Sequence, residues 1–130
     1  MYLYPLLLLT ALTSLPSATL ALTNQQICQN KCNTYRAGPC SATAQFCFKT
    51  DIVANSNYAM QGSFSARNGQ GIGTHAFVAA KSSCPKTNNW IPQKYCFSQF
   101  YEVCAKGDRY GHGAQAFAEG DCQEFNLADL

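Results

Sequence analysis

Eight cysteines set the terms on which this chain folds: Cys28, Cys32, Cys40, Cys47, Cys84, Cys96, Cys104 and Cys122. An even number of them behind an apolar N-terminal stretch points to an oxidising compartment, where thiols pair. Four disulfides are expected, each worth about 2–4 kcal/mol through restriction of the unfolded chain. Spacing alone leaves their connectivity open. Zinc is the competing use of Cys28-x3-Cys32 and Cys40-x6-Cys47, but the close Cys-x2-Cys knuckles and paired histidines of structural zinc sites are missing. No metal and no cofactor are expected.

The apolar stretch runs from Met1 to Ala21. Its core, Leu6 to Leu9 with Ala11 and Leu12, is too short to span a bilayer, and Pro16, Ser17 and Ala18 break it before small residues. It reads as a signal peptide over 1–21, with Thr19 and Ala21 at the minus-three and minus-one positions. Residues 22–130 then form a single secreted, disulfide-stabilised domain, small enough that cross-links matter. No second stretch approaches membrane-spanning length and no Asn-x-Ser/Thr sequon occurs, so stable membrane insertion and N-glycosylation are not expected.

The net charge is +2, but it is unevenly spread. Positive residues dominate up to Arg109, while Glu119, Asp121, Glu124 and Asp129 make the end acidic. No Lys/Arg cluster of the kind that marks nucleic-acid binding is present. The absence of a repeat or linker supports a single compact unit, and a monomer is expected.

Local patterns give the element order. Thr23-Asn24-Gln25-Gln26 resembles a capping box, and Cys28 and Cys32 would share a face of the helix it opens, which ends near Gly38-Pro39. Neighbouring turns of one helix bridge poorly, so these two cysteines should reach different elements. From Asn57 to Ala66, alternation of Tyr58, Met60, Phe64 and Ala66 predicts a half-buried strand. Arg67-Asn68-Gly69-Gln70-Gly71 predicts a hairpin turn into a second strand over Ile72 to Ala80. Pro92 to Ala105 switches to helical spacing, with Cys96, Phe100, Val103 and Cys104 on one stripe and Gly107 as the stop. Gln115 to Leu127 predicts two short strands or one bent strand. The order implies an α+β fold, helices packed on an antiparallel sheet.

Gly69-Gln70-Gly71, Ala76-Phe77-Val78, Cys84, the cysteine-bearing helix from Cys96 to Cys104 and the terminal Gly120-Asp121-Cys122-Gln123-Glu124-Phe125-Asn126-Leu127 together resemble the fungal killer-toxin family typified by the virus-encoded smut toxin of the fourth type. The likeness covers the second half of residues 22–130. It implies an α/β sandwich, an antiparallel sheet covered by two helices with several disulfides, and interference with calcium uptake by susceptible cells. It also admits a fungal virulence effector built on the same scaffold, binding a protein or cell-surface target on a host or competing cell. For a cation channel, a protruding cation on a rigid scaffold is the sensible probe of an acidic vestibule. Lys49, Arg67, Lys106 and Arg109 are the candidate binding residues. For each, a solvated surface cation is the competing reading.

Two other classes compete. His75 and His112, with Glu102, Glu119 and Lys106, contain the groups a small secreted ribonuclease uses. Yet His112 between glycines reads as an exposed loop residue and His75 as a packed strand neighbour, and no hydrolase or phosphate-loop motif occurs. No catalytic residue is assigned, and a non-enzymatic role is expected. A carbohydrate- or wall-binding module would use Trp90, Tyr58, Tyr95, Tyr101 or Tyr110, although aromatics at these spacings also build cores. Trp90 is read as a core residue.

Overall fold

The structure, a computed structural model, describes residues 21–65, 71–84 and 89–130. Almost all of the expected signal peptide, Arg67 and the expected hairpin tip lie outside the described residues.

Thr23 opens the first helix, α1 (Asn24–Tyr35), through the expected capping box: its hydroxyl accepts from the Gln26 N–H while the Gln26 side chain caps the Thr23 N–H. The helix stops earlier than its pattern suggested. Arg36 turns left-handed at φ 50° and donates its N–H back to the helix end. Pro39 then starts a separate helix, α2 (Pro39–Cys47), which sequence reasoning did not anticipate, with proline in the first turn where its missing N–H costs nothing.

The expected strand from Asn57 to Ala66 is corrected. A short ribbon strand, β1 (Ile52–Val53), leads into a helical turn, α3 (Asn57–Gln61), capped by the Ser56 hydroxyl, which accepts from the Ala59 N–H. Among the described residues of this stretch, only Ser63–Phe64 (β2) forms a strand. Gly62, at φ 69°, reverses the chain between them and lies flat on the next strand, where a β-carbon would collide with the Ala76 carbonyl. The strand predicted after the hairpin is present as β3 (Thr74–Ala79). After β4 (Trp90–Ile91), the predicted cysteine-bearing helix forms as α4 (Gln93–Lys106), with Gly107 ending it. The last segment is two strands, β5 (Gly113–Phe117) and β6 (Gln123–Asp129), joined by a 3-10 turn over Glu119–Asp121.

The fold is α+β with antiparallel sheets. Strands run β2-β3-β6-β5 in a four-stranded sheet, and β1 pairs with β4 in a separate ribbon. Alternation sends Thr74, Ala76, Val78, Phe125 and Leu127 to the inner face, where all are buried. Helices α2 and α4 cover that face and α1 packs outside α4. Phe46, Phe100 and Phe125 meet edge to face, at 5.2 and 4.8 Å between ring centroids, and tie both helices to the sheet. On the outer face Phe64 stacks on His75 at 4.2 Å and His75 on Phe77 at 4.5 Å.

Four disulfides close the structure: Cys28–Cys104, Cys32–Cys40, Cys47–Cys96 and Cys84–Cys122. As the helical spacing implied, Cys28 and Cys32 reach different elements, one α4 and the other α2. Cys47–Cys96 joins the C-terminal end of α2 to the start of α4. None of the described helices is long and apolar enough to cross a membrane.

Candidate functional site

Among the described residues, the turn that follows α4 carries a candidate cation on a hydrogen-bonded frame. Its frame is one carboxylate: Asp108 Oδ1 accepts from the N–H groups of Tyr110, at 2.9 Å, and His112, at 3.0 Å. Asp108 N–H donates to the His112 carbonyl, and Gly111 N–H donates to the Asp108 carbonyl. A side-chain oxygen that satisfies two backbone donors in this way replaces the hydrogen bonds a helix or strand would supply.

Two packing contacts fix the turn to the body. Gly111 adopts φ +78° and lies against Cys104 Sγ and Pro39, so the chain can pass there only without a β-carbon. His112 Nε2 and Thr74 Oγ1 share a hydrogen bond of 2.7 Å across to β3. His112 is therefore half-buried and bonded, not the exposed loop residue its glycine neighbours suggested.

Arg109 projects from this frame. It is exposed, and its guanidinium lies over the Tyr110 ring at 5.2 Å from the centroid. Tyr110 is braced in turn by Tyr35, edge to face at 5.5 Å, from the end of α1. That contact brings Arg36 to the same end of the molecule. Sequence reasoning passed over Tyr35 and Arg36; the signal available was the break at Gly38-Pro39, which ends α1 at these residues.

The other candidates are placed differently. Lys106, the last residue of α4, is 61% exposed, but its ammonium is 2.6 Å from Glu102 Oε1. Lys49 follows α2, with its ammonium 4.6 Å above the Tyr58 ring. Because Gly111 meets Pro39 at the start of α2, Lys49 lies a full helix length from the turn, about 12–15 Å away. Lys106 and Arg109 thus share one pole and Lys49 occupies the other. Arg67 is outside the described residues.

The two histidines do not converge. His75 belongs to the outer face of β3 and bonds to the Gln61 carbonyl at 2.7 Å, whereas Thr74, the partner of His112, faces inward. Glu102 is paired with Lys106. Of the aromatic candidates, Tyr58 packs with Phe46 and donates its hydroxyl to the Phe46 carbonyl, at 2.7 Å. Trp90 corrects its sequence reading: it is 57% exposed, because Ile91, not Trp90, takes the inward position of β4. Phe48 at the end of α2 is 83% exposed.

No protein-family model, no curated protein and no solved structure matches this chain.

Proposed function

We propose that this chain is a secreted, killer-toxin-like growth inhibitor or virulence effector that acts by binding a target on or in another cell, a cation channel being the target class its cations suit. Binding, not turnover, is its mode of action. The observation that carries this reading is Arg109: an exposed guanidinium backed by Tyr110 and Tyr35, on a turn braced by Asp108. A charge held in one place loses little freedom when it docks, and a cation so presented competes well at an acidic vestibule. The disulfide-stapled body supports the same reading, since a cysteine-rich α+β domain of this kind keeps its surface geometry outside the cell.

The test is growth of susceptible fungal and plant cells exposed to oxidised protein, with and without excess calcium, against the reduced and alkylated form. Inhibition that calcium reverses and that Arg109→Ala weakens at least tenfold, while Lys49→Ala leaves it unchanged, is the expected result. Nuclease or glycosidase turnover abolished by His112→Ala overturns the non-enzymatic reading.

The exposure of Trp90 favours one second reading, a carbohydrate- or wall-binding module. Loss of glycan binding on Trp90→Ala with unchanged stability supports it; unchanged glycan binding removes it.

A further inference from the structure

Two of the four disulfides are in contact. Cys28 Sγ lies 3.6 Å from Cys40 Sγ, although each is bonded elsewhere, and the sulfurs of Cys28, Cys32 and Cys104 all fall within 4.8 Å of one another. The two bridges differ in access. Cys28 and Cys104 are fully buried, whereas Cys32 and Cys40 are partly exposed. Their settings also differ in charge. Cys40 is the second residue of α2, at the positive end of the helix dipole, which favours negative charge. Beside Cys104, the Lys31 ammonium bonds to the Cys104 and Ala105 carbonyls at 2.9 and 2.8 Å.

We propose that Cys32–Cys40 is a reactive site for an external dithiol and that it relays exchange into the buried Cys28–Cys104 bridge. The dithiol's first thiolate attacks Cys32 Sγ, and Cys40 leaves as a thiolate at the start of α2. The dithiol's second sulfur then displaces Cys32, leaving the reagent as its own disulfide and Cys32 as a thiol. Cys40 thiolate, already touching Cys28 Sγ, attacks it; the Cys28–Cys104 bond breaks and Cys104 departs as a thiolate, which is then protonated. Two electrons and two protons pass from the dithiol to the protein, which ends with a Cys28–Cys40 bridge and thiols on Cys32 and Cys104. Thiol–disulfide exchange depends on access and on a stabilised leaving thiolate, and both are present at the outer bridge. A bond that no external reagent reaches is thereby opened from within.

The effect reaches the turn that carries Arg109. Gly111 rests on Cys104 Sγ, so the exchange removes the covalent tie beneath that turn while keeping α1 linked to α2. This inference is independent of what the turn binds.

The experiment is treatment of the oxidised protein with one equivalent of dithiothreitol, acid quench, alkylation and disulfide mapping by mass spectrometry. Alkyl groups on Cys32 and Cys104 together with a Cys28–Cys40 linked peptide are expected. Alkylation of Cys32 and Cys40 with Cys28–Cys104 intact overturns the relay, and opening of Cys84–Cys122 in place of Cys32–Cys40 overturns the reactive site. A second measurement uses Cys32→Ser, purified without reductant, in which Cys40 has no native partner. Its expected thiol content is shared between Cys40 and Cys104, with Cys28–Cys40 present; a thiol confined to Cys40 overturns the relay.

Discussion

Lys31 caps the C-terminal end of the helix that carries Cys104. From α1 its ammonium reaches the Cys104, Ala105 and Gly107 carbonyls at 2.9, 2.8 and 3.2 Å, at the end of α4 where the Cys104 carbonyl also accepts the Gly107 N–H. The cation also sits at the negative end of the helix dipole. The cap and the Cys28–Cys104 bridge thus fasten the middle of α1 to the C-terminal end of α4, one by charge and one by a covalent bond.

Replacing Lys31 by Met keeps the aliphatic stem and removes the three hydrogen bonds. A loss of about 1–2 kcal/mol is expected, in the range of charged hydrogen bonds discounted for partial exposure. Thermal unfolding of the oxidised variant checks it. An unchanged midpoint would mean that water serves these carbonyls equally well.

Gly111→Ala should be more damaging than its size suggests. The residue sits at φ +78°, and a methyl group would lie 2.6 Å from Cys104 Sγ. Strain and overpacking together predict a cost of roughly 1–3 kcal/mol. Gly113→Ala is the control, since an added methyl there finds its nearest neighbour at 3.4 Å. Denaturant midpoints for the pair should separate clearly.

Asp108→Ala removes the acceptor that shapes the turn but touches nothing in the core. The expected outcome is a protein of nearly native stability whose growth inhibition falls as far as that of Arg109→Ala, because the cation is present but no longer held. Far-UV circular dichroism and the growth assay, run side by side, check it. Full activity in Asp108→Ala would show that the fixed geometry of the turn is irrelevant.

Tyr58 should make the fold sensitive to alkali. Burial raises its pKa above the ordinary 10.0, and a hydrogen bond with Ser63 offsets part of that rise. The neutral phenol is the form the fold favours, so its contribution is fully present below the unfolded pKa and is lost as pH rises through the higher folded value. Stability should fall more steeply above pH 10.0 in the native protein than in Tyr58→Phe. Unfolding curves across that window read the difference directly.

Where a single local rule governs the backbone, sequence reading and structure agree. Thr23 with Gln26 starts α1, Gly107 ends α4, and the alternation from Thr74 to Ala79 is a strand with one buried face. The stretch from Asn57 to Ala66 misleads because Tyr58 and Met60 alternate as a strand would. Ser56 in fact caps a helical turn there and Gly62 reverses it. The second helix escaped notice because Pro39 and Cys40 read as the end of α1, although a proline at that place equally starts a helix. Trp90 reads as a core residue because aromatics at these spacings build cores, but in β4 Ile91 takes the inward position.

Of the candidate site, Lys106 and Arg109 were legible as cations around a turn, but what holds Arg109 was not. Tyr35 comes from α1 and Thr74 from β3, far along the chain, and only the packed structure brings them to Tyr110 and His112. The ion pair that engages Lys106 was open to inference, since Glu102 and Lys106 stand one helical turn apart.

The disulfide pattern determines what a protease can accomplish. Cys28, Cys32, Cys40 and Cys47 all precede residue 48, and Cys84, Cys96, Cys104 and Cys122 all follow residue 83. Between the two groups run two bonds, Cys28–Cys104 and Cys47–Cys96. A single cut anywhere from 48 to 83 therefore nicks the chain without releasing a fragment, and both halves stay doubly tethered. Such a protein outlasts its first cleavage.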